Sequence, residues 1–218
     1  MTIEAVVFDL DGVLIDSEPV WEDVRRGLVS EQGGQWLPDT QRKLMGMSTA
    51  EWSRYLSVEL GVHMTPKEVA DEVIRRMAER YSSSLALLPG AFEAVQRLSR
   101  RWRLGLASSS PTELIRVVLG RAGLADYFGI AVSTEEVARG KPTPDVYLAA
   151  AGRLEVAPYR CAAVEDSSNG LRAARAAGMR MIAIPRPEYP PESDELAGAD
   201  LVLESLDELT VETIEALG

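Results

Sequence analysis

The sequence predicts an α/β fold, a doubly wound parallel sheet, from two observations. First, short apolar runs rich in β-branched residues recur along the chain, as expected of strands buried on both faces. These runs are Ile3–Phe8, Arg103–Ala107, Phe128–Val132, Arg160–Val164, Met179–Ile184 and Ala199–Leu203. Second, helical patterns separate the later runs, at Ala91–Arg101, Thr112–Ala122, Asp145–Leu154, Asn169–Ala177 and Leu206–Leu217. Alternating strands and helices are typical of a parallel sheet with right-handed crossovers.

The stretch 16–87 interrupts this alternation. It has helical periodicity at Trp21–Glu31, Thr49–Leu60 and Pro66–Ser82, and it contains no convincing strand. We therefore expect a helical cap, residues 16–87, inserted into a core formed by residues 1–15 and 88–218. In the core, the Pro- and Glu-rich stretch Arg186–Ser193 predicts a loop.

Composition and charge narrow the class of protein. Of the 218 residues, 46% are hydrophobic and 26% are charged, which is ordinary for a globular protein. The net charge of −11 repels nucleic acid and anionic membranes, so we expect neither as a partner. The single cysteine, Cys161, excludes an internal disulfide and favours a reducing compartment. The N-terminal residues are not typical of a signal peptide, and we expect a cytoplasmic protein, either a monomer or a weak dimer.

Two carboxylates follow the first predicted strand, where a doubly wound sheet binds its ligands. Asp9 and Asp11 stand two residues apart, so both could reach one metal ion or one phosphoryl group. A pair of this kind is also common by chance, as two solvated loop carboxylates.

Polar residues also follow the second and third predicted strands. Ser108 is well placed to hydrogen-bond a phosphate near the next helix N-terminus. Ser110 and Glu113 fit a capping box, with Pro111 at the first helical position, so Ser110 is expected to cap that helix. Lys141 lies on a short proline-rich loop and could neutralise a phosphate as a point charge.

The fourth predicted strand ends at adjacent carboxylates, Glu165 and Asp166. Adjacent residues point in different directions, so we expect only one of them to bind a metal ion directly. Asp166 or Ser167 could also cap the following helix. Gly170 and Gly178 indicate close packing and a helix stop, respectively.

Asp9-x-Asp11-Gly-Val, Ser108, Lys141-Pro-x-Pro-Asp and Glu165-Asp166-Ser together resemble the four motifs of the haloacid dehalogenase (HAD) superfamily. The helical insertion resembles the cap of its β-phosphoglucomutase-like branch. The segment Asp16-Ser-Glu-Pro-Val-Trp21 is most similar to sugar-phosphate phosphatases of the 2-deoxyglucose-6-phosphate and hexitol type.

This resemblance implies a phosphatase mechanism. Asp9 would be the nucleophile and Asp11 the general acid and base. Mg²⁺ would be held by the Asp9 carboxylate, the Asp11 backbone carbonyl and Asp166, with Glu165 orienting metal-bound water from outside. The residues implied to bind phosphate or the rest of a small phosphorylated metabolite are Ser108, Ser109, Lys141, Glu18, Gly46 and Thr49.

The cap differs from that of the mutases in this branch. Gly46-Met47-Ser48 resembles their substrate loop, but Thr49 stands where they carry an arginine. Trp21 stands where they carry a histidine, and His63 is expected at the surface. Both differences favour hydrolysis. Trp21 and Trp52 could contact substrate, although packing inside the cap is the favoured role for both.

Three alternatives remain open from the sequence. A β-phosphoglucomutase-type phosphosugar mutase would share the four motifs. A dehalogenase would have little use for Asp11 and none for Mg²⁺. A catalytically silent sugar-phosphate binding module would retain the fold but lose part of the motif set, whereas here every expected group is present.

Overall fold

A fully parallel, six-stranded sheet lies at the centre of the protein, in the order β3-β2-β1-β4-β5-β6. The computed structural model describes residues 2–45 and 47–218. The strands are β1 (Ala5–Phe8), β2 (Arg103–Ser108), β3 (Ile130–Ser133), β4 (Cys161–Glu165), β5 (Arg180–Ala183) and β6 (Leu201–Val202). The chain progresses outward in opposite directions on the two sides of β1, which confirms the predicted doubly wound α/β fold.

Helices connect these strands and form the insertion. They are α1 (Glu18–Glu31), α2 (Thr40–Leu44), α3 (Thr49–Arg54), α4 (Pro66–Ser83), α5 (Ala91–Ser99), α6 (Thr112–Ala122), α7 (Asp145–Leu154), α8 (Ser168–Ala176), α9 (Ser193–Ala197) and α10 (Val211–Glu215). No helix within the described ranges is long and apolar enough to cross a membrane.

Both faces of the sheet are covered by apolar side chains. In β1, Val6 and Phe8 belong to one buried cluster, and Ala5 and Val7 belong to another. This alternation places one cluster on each face, which explains why β1 is apolar at every position.

The helices α1–α4 lie between β1 and α5, as the predicted insertion requires. Ile15 forms a bridge with Leu87, so the chain enters and leaves the insertion at adjacent positions. Capping boxes begin two of its helices: Ser48 with Glu51 at α3, and Thr65 with Glu68 at α4. The boundary at 16–87 stays a prediction.

Several predicted elements have different bounds in the structure. The segment predicted as one helix at 49–60 is α3 followed by a π-helical turn, Tyr55–Glu59. The last predicted helix, 206–217, is a 3₁₀ turn at Leu206–Glu208 and then α10. Its division has a local cause, because the Thr210 hydroxyl accepts from the Thr213 N–H at 3.2 Å and so starts a new helix.

Candidate active site

The carboxyl ends of three strands meet at Asp9, the residue that follows β1. Its backbone N–H donates to the Val164 carbonyl of β4 at 2.9 Å, which continues the sheet pairing past the end of β1. The Lys141 Nζ donates to Asp9 Oδ1 at 2.6 Å, to Glu165 Oε1 at 2.6 Å and to the Ala107 carbonyl at 3.0 Å. One ammonium group therefore ties together the ends of β1, β2 and β4.

Glu165 is completely buried, and both of its carboxylate oxygens have donors. Oε1 accepts from Lys141 and from the Tyr147 hydroxyl, each at 2.6 Å. Oε2 accepts from the Asp166 N–H at 3.2 Å and the Ser167 hydroxyl at 3.1 Å. Gly170 is required opposite this carboxylate, because a Cβ there would lie 1.9 Å from Oε1. The close packing expected at Gly170 is confirmed, and so is the helix cap, since Ser167 accepts from the Gly170 N–H.

Asp9, Glu165 and Asp166 form a buried acidic cluster whose ligand oxygens lie within 4.8 Å of one another. Among the described residues, neither Asp9 Oδ2 nor the Asp166 carboxylate accepts a side-chain hydrogen bond. Since Glu165 is already engaged, Asp9 and Asp166 supply the oxygens available to a cation. An all-oxygen set of this kind fits Mg²⁺.

Burial and crowding of charge change the proton affinities of this cluster. Burial raises the pKa of Asp9 to about 8, with Glu165 and Asp11 adding to the rise and Lys141 opposing it. Burial also raises the pKa of Asp166 well above its ordinary value, helped by the charges of Glu165 and Asp9. For Lys141, burial lowers the pKa, but the two facing carboxylates outweigh it and the net shift is upward. Three carboxylates facing one ammonium leave an excess of negative charge, which a divalent cation would neutralise.

Asp11 is held in a fixed orientation by three donors. Trp21 Nε1 donates to Oδ1 at 3.2 Å, while the Ser110 and Ser108 hydroxyls donate to Oδ2 at 2.7 and 3.3 Å. The role expected of Ser110 as a helix cap is wrong, because its hydroxyl is committed to Asp11. The α6 N-terminus instead donates from the Thr112 N–H to a Glu135 carboxylate at 3.1 Å.

A cavity of about 620 Å³ opens above these carboxylates. Its floor includes Asp9, Asp11, Lys141 and Asp166, and its roof comes from the helical insertion. The roof residues are Glu18, Trp21, Arg25, Arg42, Leu44, Met45, Met47 and Trp52, and the far wall includes Asn169, Arg172 and the loop 188–192. The site is thus a half-open space between the strand ends and the insertion.

The other residues expected to contact substrate differ in whether they line the cavity. Glu18 and Ser109 line the cavity, whereas Ser108 is fully buried behind Asp11. Thr49 is the first residue of α3 and is not among the lining residues, and its hydroxyl is buried without a partner. Gly46 lies outside the described residues.

Trp21 and Trp52 are both buried, as the favoured packing role predicts. Their ring centroids are 6.1 Å apart, and Trp52 is 2% exposed. Both also reach the cavity, so packing and substrate contact are compatible. His63 is exposed, as expected.

The structure brings two residues to the site that were not predicted from the sequence. The hydroxyl of Tyr147, on α7, donates to Glu165. Because its neighbours in the sequence are apolar, Tyr147 looks like an ordinary core residue. Arg25, on α1, is 5% exposed and stacks beside both tryptophans. The only available signal for Arg25 was a charged residue on the apolar face of an amphipathic helix, four residues after Trp21.

Comparison with known proteins agrees with this geometry. Residues 3–178 match the haloacid dehalogenase-like hydrolase family. Hexitol phosphatase B of Escherichia coli (strain K12) is 37% identical over 218 residues, covering 97% of this chain and 96% of that protein. The phosphorylated carbohydrates phosphatase of Thermotoga maritima is 34% identical over 83% of this chain and 84% of its own. The crystal structure of β-phosphoglucomutase from Clostridium difficile superposes with a TM-score of 0.83 at 27% identity, covering 99% of this chain and 97% of that one.

The fold and the site therefore define a hydrolase of the α/β class with carboxylates at its strand ends. The chain belongs to the haloacid dehalogenase-like hydrolase family. The predicted resemblance to the β-phosphoglucomutase-like branch is confirmed, and so is the expectation of an enzyme of the phosphoric monoester hydrolase class.

Proposed function

We propose that this chain is a Mg²⁺-dependent phosphatase that hydrolyses a small phosphorylated sugar or sugar alcohol through an aspartyl-phosphate on Asp9. One observation carries the proposal. Asp9 lies at the floor of the cavity with one oxygen held by Lys141 and the other without a donor among the described residues. A carboxylate fixed in this way is oriented for attack on a phosphorus atom.

The first step transfers the phosphoryl group to the protein. The Asp9 carboxylate attacks phosphorus in line as the bond from phosphorus to the ester oxygen breaks. Lys141 neutralises charge on the phosphoryl oxygens, and Asp11 protonates the leaving alkoxide. Magnesium held by Asp9, the Asp11 backbone carbonyl and Asp166 would offset the repulsion between the carboxylates and the phosphate dianion.

The second step returns the phosphoryl group to water. Asp11 takes a proton from the water that attacks the aspartyl-phosphate, and this releases inorganic phosphate and restores Asp9. The donors from Trp21, Ser108 and Ser110 keep the Asp11 carboxylate in one orientation for both proton transfers.

Two residues of the insertion support water, rather than a second sugar hydroxyl, as the final acceptor. Trp21 occupies the position of the mutase histidine, and its indole N–H is committed to Asp11. Thr49 stands where the mutases carry an arginine, and this uncharged residue does not line the cavity within the described residues. Both features favour a phosphatase over a mutase.

The substrate class is supported by the relatives and by the lining of the cavity. One relative is named for hexitol and another for phosphorylated carbohydrates. The lining contains Glu18, Asn169 and Arg172, whose side chains can bond sugar hydroxyls.

Phosphate release from a panel of substrates tests the proposal. The panel holds an aryl phosphate, hexose and pentitol phosphates, phosphoglycolate and nucleotides, each assayed with Mg²⁺ and with EDTA. We expect EDTA to abolish release, and sugar phosphates to exceed nucleotides in kcat/KM. A preference for nucleotides of about tenfold or more would refute the substrate class. A mutase would instead convert β-glucose 1-phosphate, primed with glucose 1,6-bisphosphate, to glucose 6-phosphate without releasing phosphate.

A further inference from the structure

Arg25 is a buried cation in the roof of the cavity. It lies on α1 one turn beyond Trp21, is only 5% exposed, and lines the cavity. The guanidinium carbon is 4.4 Å from the centre of the Trp21 ring and 5.0 Å from that of Trp52. The two rings hold the charged group in place without using its hydrogen-bond donors.

No carboxylate among the described residues forms an ion pair with this arginine. Across residues 2–45 and 47–218, no side-chain hydrogen bond or ion pair includes Arg25, and its Nε is buried without an acceptor. A buried guanidinium with unused donors is costly unless a partner arrives. Burial lowers the pKa of Arg25 to about 10, so the group is still charged at neutral pH.

The carboxylates nearest to Arg25 are committed elsewhere. Glu18 accepts from Gln41 Nε2 at 2.6 Å, and Asp11 accepts from Trp21 and the two serines. Burial raises the pKa of Glu18 to about 7, which further weakens it as a counter-charge. A second arginine of the roof, Arg42, also lines the cavity and has no ion pair among the described residues. Unpaired positive charge therefore faces the cavity from the insertion.

We propose that Arg25 determines specificity by binding an anionic group, a carboxylate or a second phosphate, on the end of the substrate remote from the reacting phosphate. This rests on the proposed function, since the same cavity must hold the phosphate ester. The Trp21 indole contacts Asp11 through its N–H and Arg25 through its face, so the ring separates the reacting end from the anionic end. The planar guanidinium suits two-point contact with either kind of oxyanion.

A matched pair of substrates tests this role. Glucitol 6-phosphate and 6-phosphogluconate differ only at C1, which is an alcohol in the first and a carboxylate in the second. We expect the wild type to prefer 6-phosphogluconate by about tenfold in kcat/KM, mainly through KM. Arg25→Gln should lose most of this preference, whereas substitution of its exposed neighbour, Arg26→Gln, which breaks the pair with Glu22, should retain it. Fructose 1,6-bisphosphate against fructose 6-phosphate shows whether a phosphate serves as well as a carboxylate.

The ratio of the two rates within one variant is independent of how much of that variant is folded. Equal rates for the matched substrates in the wild type would overturn the proposal. So would a ratio that Arg25→Gln leaves unchanged, because a purely structural arginine would lower both rates together.

Binding separates this proposal from the proposed function. If no phosphate ester is hydrolysed, the phosphatase function fails, yet calorimetry on Asp9→Asn with Mg²⁺ still compares the two ligands. Tighter binding of 6-phosphogluconate, by about tenfold and lost on adding Arg25→Gln, would support the role of Arg25. Equal affinity for the two ligands would overturn it.

Discussion

The floor and the roof of the cavity differ in how their charged and polar groups are paired. On the floor, charged groups face one another at hydrogen-bond distance, as Lys141 does with Asp9 and Glu165. In the roof, the Nε of Arg25 is buried without a partner among the described residues. These charged groups of the floor are already paired, whereas the roof contains a cationic donor that a ligand can use. Reaction type and substrate choice therefore reside in separate parts of the chain.

The largest expected effect is on the floor, at the nucleophile. Asp9→Asn should lower turnover by about 10⁴-fold or more, because an amide cannot form the phosphoenzyme. It also removes one negative charge from a crowded cluster, so stability should be retained. Phosphate release and thermal unfolding measure the two properties, with Asp71→Asn, on the exposed face of α4, as the matched control. Turnover above about one hundredth of the wild-type value would show that Asp9 is not the nucleophile.

Removing the cation of the floor should produce the next largest effect. Lys141→Met should lower kcat/KM by about 100-fold and the free energy of unfolding by about 3 kcal/mol, because Asp9 and Glu165 are left facing each other. Lys67→Met, an exposed lysine paired with Asp71, should change stability by less than about 1 kcal/mol. If the kcat/KM of Lys141→Met is within a few-fold of the wild-type value, Lys141 does not contribute to binding or stabilising the phosphate.

The smallest effect is in the roof, and it depends on pH. Burial raises the pKa of Glu18 from 4.5 to about 7, so between these values the folded protein keeps a proton that the unfolded chain has lost. The wild type therefore loses stability as pH rises through this window. Gln cannot ionise, so the free energy of unfolding of Glu18→Gln relative to that of the wild type should rise by about 3 kcal/mol between pH below 4.5 and pH above 7.

Urea unfolding at several pH values measures this difference. Glu22→Gln, on the same helix but outside the cavity lining, is the matched control and should show no such trend. If the free energy of unfolding of Glu18→Gln differs from that of the wild type by the same amount at every pH, the Glu18 carboxyl is well solvated. The roof would then not be a buried environment for this group.

The sequence predicts the floor far better than the roof, for a physical reason. Residues after the strands of a parallel sheet must meet at one edge, so the order of Asp9, Lys141 and Asp166 along the chain already implies their proximity. In the insertion no such rule holds, because helix packing depends on side-chain shape. The contact of Arg25 with the rings of Trp21 and Trp52 therefore could not be predicted from spacing alone.

The helix predicted at Thr112–Ala122 is present, but the capping role predicted for Ser110 was wrong because a tertiary contact competed with it. Ser110, Pro111 and Glu113 have the sequence of a helix start, but the Ser110 hydroxyl bonds Asp11, which lies 99 positions away. Short elements were missed for a different reason. The helices α2 and α9 have five residues each, too few for a periodic pattern to be recognised.

The position of β1 has a consequence for how the enzyme forms. It is the first strand in the chain, yet it lies in the middle of the sheet and pairs only with β2 and β4, which begin at Arg103 and Cys161. Lys141 lies 132 positions after the aspartate that it contacts. Closing such long loops costs chain entropy before any contact repays it, which slows folding. During synthesis, β1 gains its first partner strand when β2 has been made and its second only when β4 follows, so the site around Asp9 can form only after Glu165 and Asp166 have been added.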